Sequence, residues 1–288
     1  MNPHCLAAIN SLHDFERKKT MSQAWMIASG KGGVGKSTIA AAIAVGLAMK
    51  QQHVAIVDAD IGLRSLDVML GLENRIVYDL VDVINGSCKL KQALVNHWRY
   101  PSLSLLPAAQ MSDSSGVTAK DIQRIILRLK KEYDYVLVDC PAGIGRGFQN
   151  VLGAADDTIL VTTPDDVAMR DVERVCALVT DYGLPRPMLI VNQVNVDLVK
   201  AGIMYPPAII AQSLDMQLLG ILPKSDHVYR QLLRHMTAIE GKGYVQTSLH
   251  RIVRRLIGEV VPLPILSKDE RSPLKRLFSR EKKGCEWA

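Results

Sequence analysis

The strongest chemical signal in this sequence is a glycine-rich run of nine residues, Gly30-Lys31-Gly32-Gly33-Val34-Gly35-Lys36-Ser37-Thr38. It matches the phosphate-binding pattern G-x-x-x-x-G-K-[ST] at every fixed position. Because glycine has no Cβ, the loop can turn its backbone N–H groups around a phosphate chain while the next helix presents its positive end. An apolar run before the loop (24–28) and a helical pattern after it supply the context that the motif requires. A glycine-rich turn with a stray lysine is the alternative.

The side chains of this phosphate-binding loop (P-loop) predict a site for ATP and Mg²⁺. Lys36 would place its charge on the β and γ phosphates, and the Ser37 hydroxyl would ligate the metal ion. The other loop residues would contribute backbone groups around the nucleotide. The predicted nucleotide contacts of the loop are Lys31, Gly32, Gly33, Val34, Gly35, Lys36, Ser37 and Thr38.

Carboxylates follow two further apolar runs. Asp58 and Asp60 come directly after residues 54–57, and Asp139 ends the run that starts at Tyr135. Uninterrupted apolar runs are typical of strands buried on both faces of a parallel sheet, and ligands bind outside the carboxyl ends of such strands. Carboxylates there can support the outer shell of Mg²⁺ or hold a water in line with the γ phosphate. A solvated turn at Asp60 and a buried strand with a proline-containing turn after Asp139 are the alternatives.

Lys31 is a second lysine inside the loop, directly after its first glycine. The form K-G-G-V-G-K-S resembles the deviant Walker A loop of the MinD/ParA family of ATPases, in which the extra lysine reaches across a dimer interface to the partner's nucleotide. Residues 58–67 resemble the family's switch I segment D-x-D-x-G-L-R-N-L-D, with Ser65 at the usual asparagine. An exposed lysine of no consequence is the alternative for Lys31.

This resemblance implies roles for individual residues. Lys31, Lys36 and Asp60 would be catalytic, with Asp60 positioning the attacking water. Ser37, Asp58 and Asp139 would support the metal ion, and Asn192 and Pro223 would contact adenine. Asp171 aligns with a family residue near the dimer and partner surface, and a surface salt bridge is the alternative for it.

Apolar runs alternate with helical patterns from about residue 24 to residue 260. Further strands are predicted at 103–107, 158–162, 188–192 and 218–222, and helices at 37–50, 71–84, 89–96, 118–131 and 167–179. This alternation predicts an α/β fold with right-handed crossovers. We expect a three-layer P-loop NTPase with a mostly parallel, doubly wound sheet of about seven or eight strands. The predicted divisions are a flexible extension (1–23), an ATPase domain (24–262) and a linker with a tail (263–288).

Bulk properties exclude several classes of protein. The net charge of +6 fits an anionic ligand or surface and is far from the charge of a dedicated nucleic-acid binder. The five cysteines are scattered without a C-x-x-C pair, which argues against zinc or iron–sulfur sites and for a reducing cytoplasm. No window approaches the ~20 apolar residues of a spanning helix. The first residues lack the apolar core of a signal peptide.

The tail has the pattern of a short basic amphipathic helix. Ser272 and Pro273 are typical of a helix start, and Leu274, Leu277 and Phe278 would share one face flanked by Lys275 and Arg276. Such a pattern suits an anionic membrane surface, and a basic tail without structure is the alternative. Leu-Lys-Arg-Leu-Phe looks like the membrane-targeting sequence of one branch of the family.

The resemblance implies an ATP-dependent homodimer on the inner face of the cell membrane. It would recruit a MinC-like division inhibitor, with a MinE-like activator as a possible second partner, and so control septum placement. One alternative is a ParA-like or flagellar-number regulator that acts on DNA or polar protein cargo. Another is a metabolic or metal-cluster enzyme on the same scaffold. No specific nucleic acid is expected under the leading hypothesis.

Overall fold

The computed structural model describes residues 22–110 and 116–264. Within them, eight strands form one sheet in the order β3-β4-β2-β5-β1-β6-β7-β8. All neighbouring strands are parallel except β3 and β4, which are antiparallel. This architecture confirms the predicted mostly parallel α/β sheet. The strands are β1 (Gln23–Ala28), β2 (Val54–Asp58), β3 (Val95–Asn96), β4 (Leu103–Leu106), β5 (Tyr135–Asp139), β6 (Asp157–Thr162), β7 (Met188–Val194) and β8 (Gln217–Pro223).

Helices cover both faces of the sheet and bury two apolar cores. The core on one face includes α1, α2 and α11, and that on the other includes α5, α6, α7 and α9. No helix in the described ranges is long and apolar enough to span a bilayer. The helices are α1 (Lys36–Met49), α2 (Leu66–Leu70), α3 (Leu80–Ile84), α4 (Leu90–Ala93), α5 (Ala119–Leu129), α6 (Arg146–Leu152), α7 (Asp166–Asp181), α8 (Val196–Lys200), α9 (Pro207–Ser213), α10 (Asp226–Leu232) and α11 (Tyr244–Leu256).

The segment after switch I differs from the prediction. The expected continuous helix over 71–84 is wrong: the segment forms a 3-10 turn (Glu73–Arg75) and then α3. Helix α3 begins only after Asp79, whose carboxylate accepts the N–H groups of Val81 and Asp82. The expected helix over 89–96 is also cut short, since Val95–Asn96 pairs with β4 as an edge strand. Pairing with a neighbouring strand thus outweighs the local helical pattern.

The order of the strands brings the predicted site residues together. β1 lies between β5 and β6, and β2 lies on the other side of β5. In the register, Asp139 is opposite Ile27 of β1 and Asp58 of β2. Because these strands are parallel, the loops that follow their carboxyl ends meet at one edge of the sheet. This edge, which we call the P-loop edge, carries residues 29–35, 59–65 and 140–145.

Helix α1 lies between the sheet and α11, and nearly all of its side chains are buried. This close packing requires a small residue where α1 meets α11. A Cβ on Gly46 would lie 2.5 Å from Ile239 Cδ1 and 2.6 Å from Val253 Cγ2. The close approach of the two elements therefore depends on this glycine.

We expect Gly46→Val to destabilise the protein by ~1–3 kcal/mol, because the added methyl groups overpack a filled core. Urea denaturation followed by circular dichroism measures the free energy of unfolding. Gly116→Val is the matched control, since a Cβ at Gly116 meets nothing within 4 Å. Equal stability of the two variants would contradict the packing argument.

Candidate functional site

The P-loop is held in shape by the end of β7. Gly33 and Gly35 have φ angles of 79° and 92°, in the left-handed region that favours glycine. Asn192 Nδ2 donates a hydrogen bond to Val34 O at 2.7 Å, and Gln193 Nε2 donates one to Gly33 O at 3.3 Å. A Cβ on Gly35 would lie 2.5 Å from Asn192 Nδ2. Asn192, predicted to contact adenine, therefore also fastens the loop.

A buried ion pair joins the P-loop to the end of β5. Lys36 Nζ lies 2.6 Å from Asp139 Oδ1, and the two side chains are only 6% and 0% exposed. Lys36 Nζ also lies 3.2 Å from Ser37 Oγ. The other carboxylate oxygen, Asp139 Oδ2, is buried without a hydrogen-bond partner among the described residues. Since a buried charged oxygen needs a partner, Oδ2 suits a water or a metal ion.

Three carboxylates, those of Asp58, Asp60 and Asp139, lie at the P-loop edge. Asp58 accepts the N–H groups of Asp60 and Leu66 at 3.1 and 3.3 Å. Burial, and then the charge of Asp139, raise the pKa of Asp58 to about 7. Burial also raises the pKa values of Asp139 and Asp60, against the effect of Lys36. A divalent cation would relieve this mutual repulsion.

The residues present fit Mg²⁺ held together with phosphate groups. In the described ranges no cluster of three or more histidine, cysteine, aspartate or glutamate side chains could hold a metal ion unaided. Mg²⁺ in phosphate-transfer sites takes one or two protein ligands, and water and phosphate oxygens complete its shell. Ser37, Asp58 and Asp139 provide the right chemistry for this arrangement.

The second lysine of the loop lies at the rim of the site. Lys31 Nζ is 3.0 Å from Asp165 Oδ1, with 35% and 46% of the two side chains exposed. Asp165 also accepts hydrogen bonds from Thr163 Oγ1 at 2.5 Å and Ala168 N at 3.0 Å. Burial on its own would raise the pKa of Asp165, but these hydrogen bonds and Lys31 hold this pKa below its usual value. Lys31 is therefore half exposed and held by a loop of its own chain.

A cavity of about 390 Å³ opens beside Lys31, between the ends of β6, β7 and β8. Most of its lining was not predicted from the sequence, including Asp165, Gln193, Asn195 and Lys224. Their position directly after predicted strands was the available signal. Pro223 ends β8, and the cavity is lined by its neighbour Lys224 instead. Asp171 packs so closely on Gly30 that a Cβ on this glycine would overlap it.

The predicted membrane residues Leu274, Lys275, Arg276, Leu277 and Phe278 lie outside the described residues. So do almost all residues of the predicted N-terminal extension, 1–23. The assignment of contacts to Gly32, Thr38 and the rest of the P-loop stays a prediction, as do the divisions at residues 23 and 262.

A family model described as "ParA: NUBPL iron-transfer P-loop NTPase" matches residues 20–204. The chain belongs to this ParA/MinD family of P-loop ATPases. It is 42% identical over 262 residues to the septum site-determining protein MinD of Bacillus subtilis, covering 90% of this chain and 98% of that one. The description of this family model mentions iron transfer. In the described part of this chain, no group of three or more histidine, cysteine, aspartate or glutamate side chains could hold a metal ion.

Solved structures agree with this assignment. The MinC:MinD cell division protein complex of Aquifex aeolicus contains a chain that is 37% identical to the present chain, with a TM-score of 0.78. The match covers 84% of this chain and 98% of that one. The septum site-determining protein MinD of Pyrococcus horikoshii, complexed with Mg-ADP, is 26% identical with a TM-score of 0.74, over 82% of this chain and 96% of that one. These likenesses confirm the predicted P-loop NTPase fold.

We expect Lys36→Ala to abolish nucleotide binding and also to destabilise the protein by ~3–5 kcal/mol, because it leaves a charged Asp139 buried and unpaired. Removing Lys36 raises the pKa of Asp139 further, and protonation relieves the unpaired charge as the pH falls. The loss of stability should therefore be larger at ~pH 8 than at ~pH 5.5.

Urea denaturation at both pH values measures this loss. The double variant Lys36→Ala/Asp139→Ala should recover most of the stability, since neither charge then remains in the core. The same loss in the single and double variants would show that the ion pair is not the cause.

Proposed function

We propose that this ATPase dimerises when it binds Mg²⁺ and ATP, attaches to the inner face of the cell membrane and recruits a MinC-like division inhibitor to control septum placement. The observation that carries the proposal is Lys31, a half-exposed cation at the rim of the 390 Å³ cavity. The relatives of this chain by sequence include septum site-determining proteins. A MinE-like activator is a further proposed partner.

The P-loop edge divides the chemistry among its side chains. Lys36 would bind the β and γ phosphates, while Ser37, Asp58 and Asp139 would hold Mg²⁺. The metal ion, when bound, would neutralise part of the charge on the phosphate oxygens. Asp60 lies on the loop after β2, and its partly buried carboxylate would accept a hydrogen bond from the attacking water. Asn192 and the residues around Pro223 would face the base.

Exposed apolar side chains at and beside the P-loop edge support contact with a second copy. Leu63, Ile144 and Val167 are 73%, 45% and 63% exposed and follow the ends of β2, β5 and β6. Covering these side chains with a second copy would remove apolar surface from water, which favours association. In the dimer, Lys31 would exchange Asp165 for a phosphate of the partner's nucleotide.

The start of the tail lies on the other side of the sheet. Arg255 donates hydrogen bonds to Leu219 O, Val261 O and Pro262 O at 2.7, 2.9 and 2.8 Å. Leu219 lies in the amino-terminal half of β8, so Pro262 is held away from the P-loop edge. A second copy and a membrane would therefore occupy different surfaces. Two tails on one dimer would then act together, with an avidity gain of ~10² or more.

We expect Asp60→Ala to bind ATP and form the dimer while its hydrolysis nearly stops, because the attacking water loses its acceptor. Light scattering after gel filtration in Mg²⁺ and ATP measures the mass, and phosphate release measures hydrolysis. Lys31→Ala is the matched variant that should lose the dimer. Wild-type hydrolysis by Asp60→Ala, or a wild-type monomer in Mg²⁺ and a non-hydrolysable ATP analogue, would sink the proposal.

We expect Phe278→Glu to lose ATP-dependent sedimentation with phosphatidylglycerol vesicles while its ATP affinity is unchanged, because a charge replaces the largest apolar group of the tail. Val260→Glu is the control, since Val260 is 81% exposed and lies outside the predicted membrane helix. Unchanged sedimentation of Phe278→Glu would refute the tail assignment. Retention of the wild type on DNA instead, with a steep salt dependence, would favour the ParA-like alternative.

A further inference from the structure

Arg146 is a cation beside the site that the proposed function does not use. It is the first residue of α6, on the segment that follows Asp139. The residue is exposed, and its guanidinium makes no hydrogen bond or ion pair to any other residue in the ranges that the structure describes. Lys31 and Lys36, by contrast, are held by Asp165 and Asp139. Arg146 is thus free to take a new anionic partner.

A cavity connects Arg146 with Asp60. It has a volume of about 160 Å³ and lies between the loops after β2 and β5, with Ala59, Asp60 and Pro141 in its walls together with Arg146 itself. A water molecule occupies ~30 Å³ in the liquid, so the space admits a planar guanidinium and leaves room for water. The side chain can therefore turn toward Asp60 by side-chain rotation.

The backbone around Arg146 is fixed relative to the P-loop. Gly143 N donates a hydrogen bond to Ser29 O at 3.0 Å. A Cβ on Gly147 would lie 2.7 Å from Pro141 Cγ, so the start of α6 packs closely on the preceding turn. Phe148 is buried, which anchors the next turn in the core. The backbone of Arg146 therefore holds a fixed position relative to the phosphate-binding groups, and only the side chain has to move.

We infer that Arg146 is a further catalytic residue of the ATPase, whose guanidinium turns along this cavity and donates hydrogen bonds to the terminal phosphate of ATP. The inference rests on the proposed role of Asp60. During hydrolysis the water oxygen bonds to the γ phosphorus, the bond to the β–γ bridging oxygen breaks, and ADP and phosphate leave with the water's protons. Negative charge develops on the transferred group and its leaving oxygen, where a guanidinium stabilises it.

The test compares Arg146→Ala and Arg146→Lys with the control Arg128→Ala. Arg128 is exposed on α5, six residues after Ile122, the residue of that helix that lines the cavity. We expect ATP affinity within ~2-fold of wild type and hydrolysis lowered ~10²-fold in Arg146→Ala, a loss typical of a donor that acts mainly in the transition state. Arg146→Lys should recover part of the rate.

A second measurement separates chemistry from folding and assembly. The affinity for Mg·ADP with aluminium fluoride, which mimics the transferred phosphate, should fall in Arg146→Ala by about as much as the rate, on the order of 10²-fold. Added guanidinium ions should restore part of the lost hydrolysis. The melting temperature, and the dimer mass in Mg²⁺ and ATP, should match those of wild type.

Several outcomes would overturn the inference. Hydrolysis by Arg146→Ala within twofold of wild type would do so, as would equal losses of affinity for ATP and for the aluminium fluoride complex. Loss of the dimer in Arg146→Ala would make Arg146 an interface residue instead. Asp60→Ala is measured in parallel. Wild-type hydrolysis by that variant refutes the proposed role of Asp60, whereas the aluminium fluoride affinity of Arg146→Ala still decides whether Arg146 contacts the phosphate.

Discussion

The site depends on a buried ion pair between Lys36 of the P-loop and Asp139 of β5. Charges taken out of water are stable only when each is matched, so this pair fixes the loop to the sheet. The match is incomplete, because Asp139 Oδ2 has no partner among the described residues. The sheet therefore leaves one buried carboxylate oxygen that a water molecule or a metal ion could satisfy.

The carboxyl ends of the two neighbouring strands β2 and β5 concentrate negative charge around this pair. Asp58, Asp60 and Asp139 all have pKa values raised by burial, and Asp58 also by the charge of Asp139. Such carboxylates lower the free energy of unfolding near neutral pH, because their pKa values are higher in the folded protein than in the unfolded chain. A fold that keeps them at one edge accepts this cost where a cation and phosphates can offset it.

Much of the fold could be predicted from the sequence because its strands are continuous apolar runs. β1, β2 and β5 are buried along nearly their whole length; β2 and β5 end at Asp58 and Asp139, and β1 ends two residues before the P-loop. The P-loop was predictable because its backbone geometry admits glycine at Gly33 and Gly35 and few other residues. In both cases local sequence and global structure impose the same constraint.

Other features depend on contacts that sequence spacing does not encode. β3 is a strand only because Val95 and Asn96 meet β4. Asp165, on the loop after β6, and Gln193, near the end of β7, reach the site from more than a hundred residues away in the sequence. Arg146 becomes notable only once a cavity is seen to join it to Asp60. These residues were missed because their roles arise from tertiary proximity, and no local motif marks them.

The hydrogen bonds of Arg255 fix the position of the segment that follows α11. Three carbonyls share its guanidinium, two of them from the segment that leads out of the fold. The chain thereby departs from the side of the sheet remote from the phosphate-binding groups. A fluorescent label at the exposed Val260, beside this fixed segment, would therefore lie away from the P-loop edge and leave both nucleotide and soluble partner free to approach.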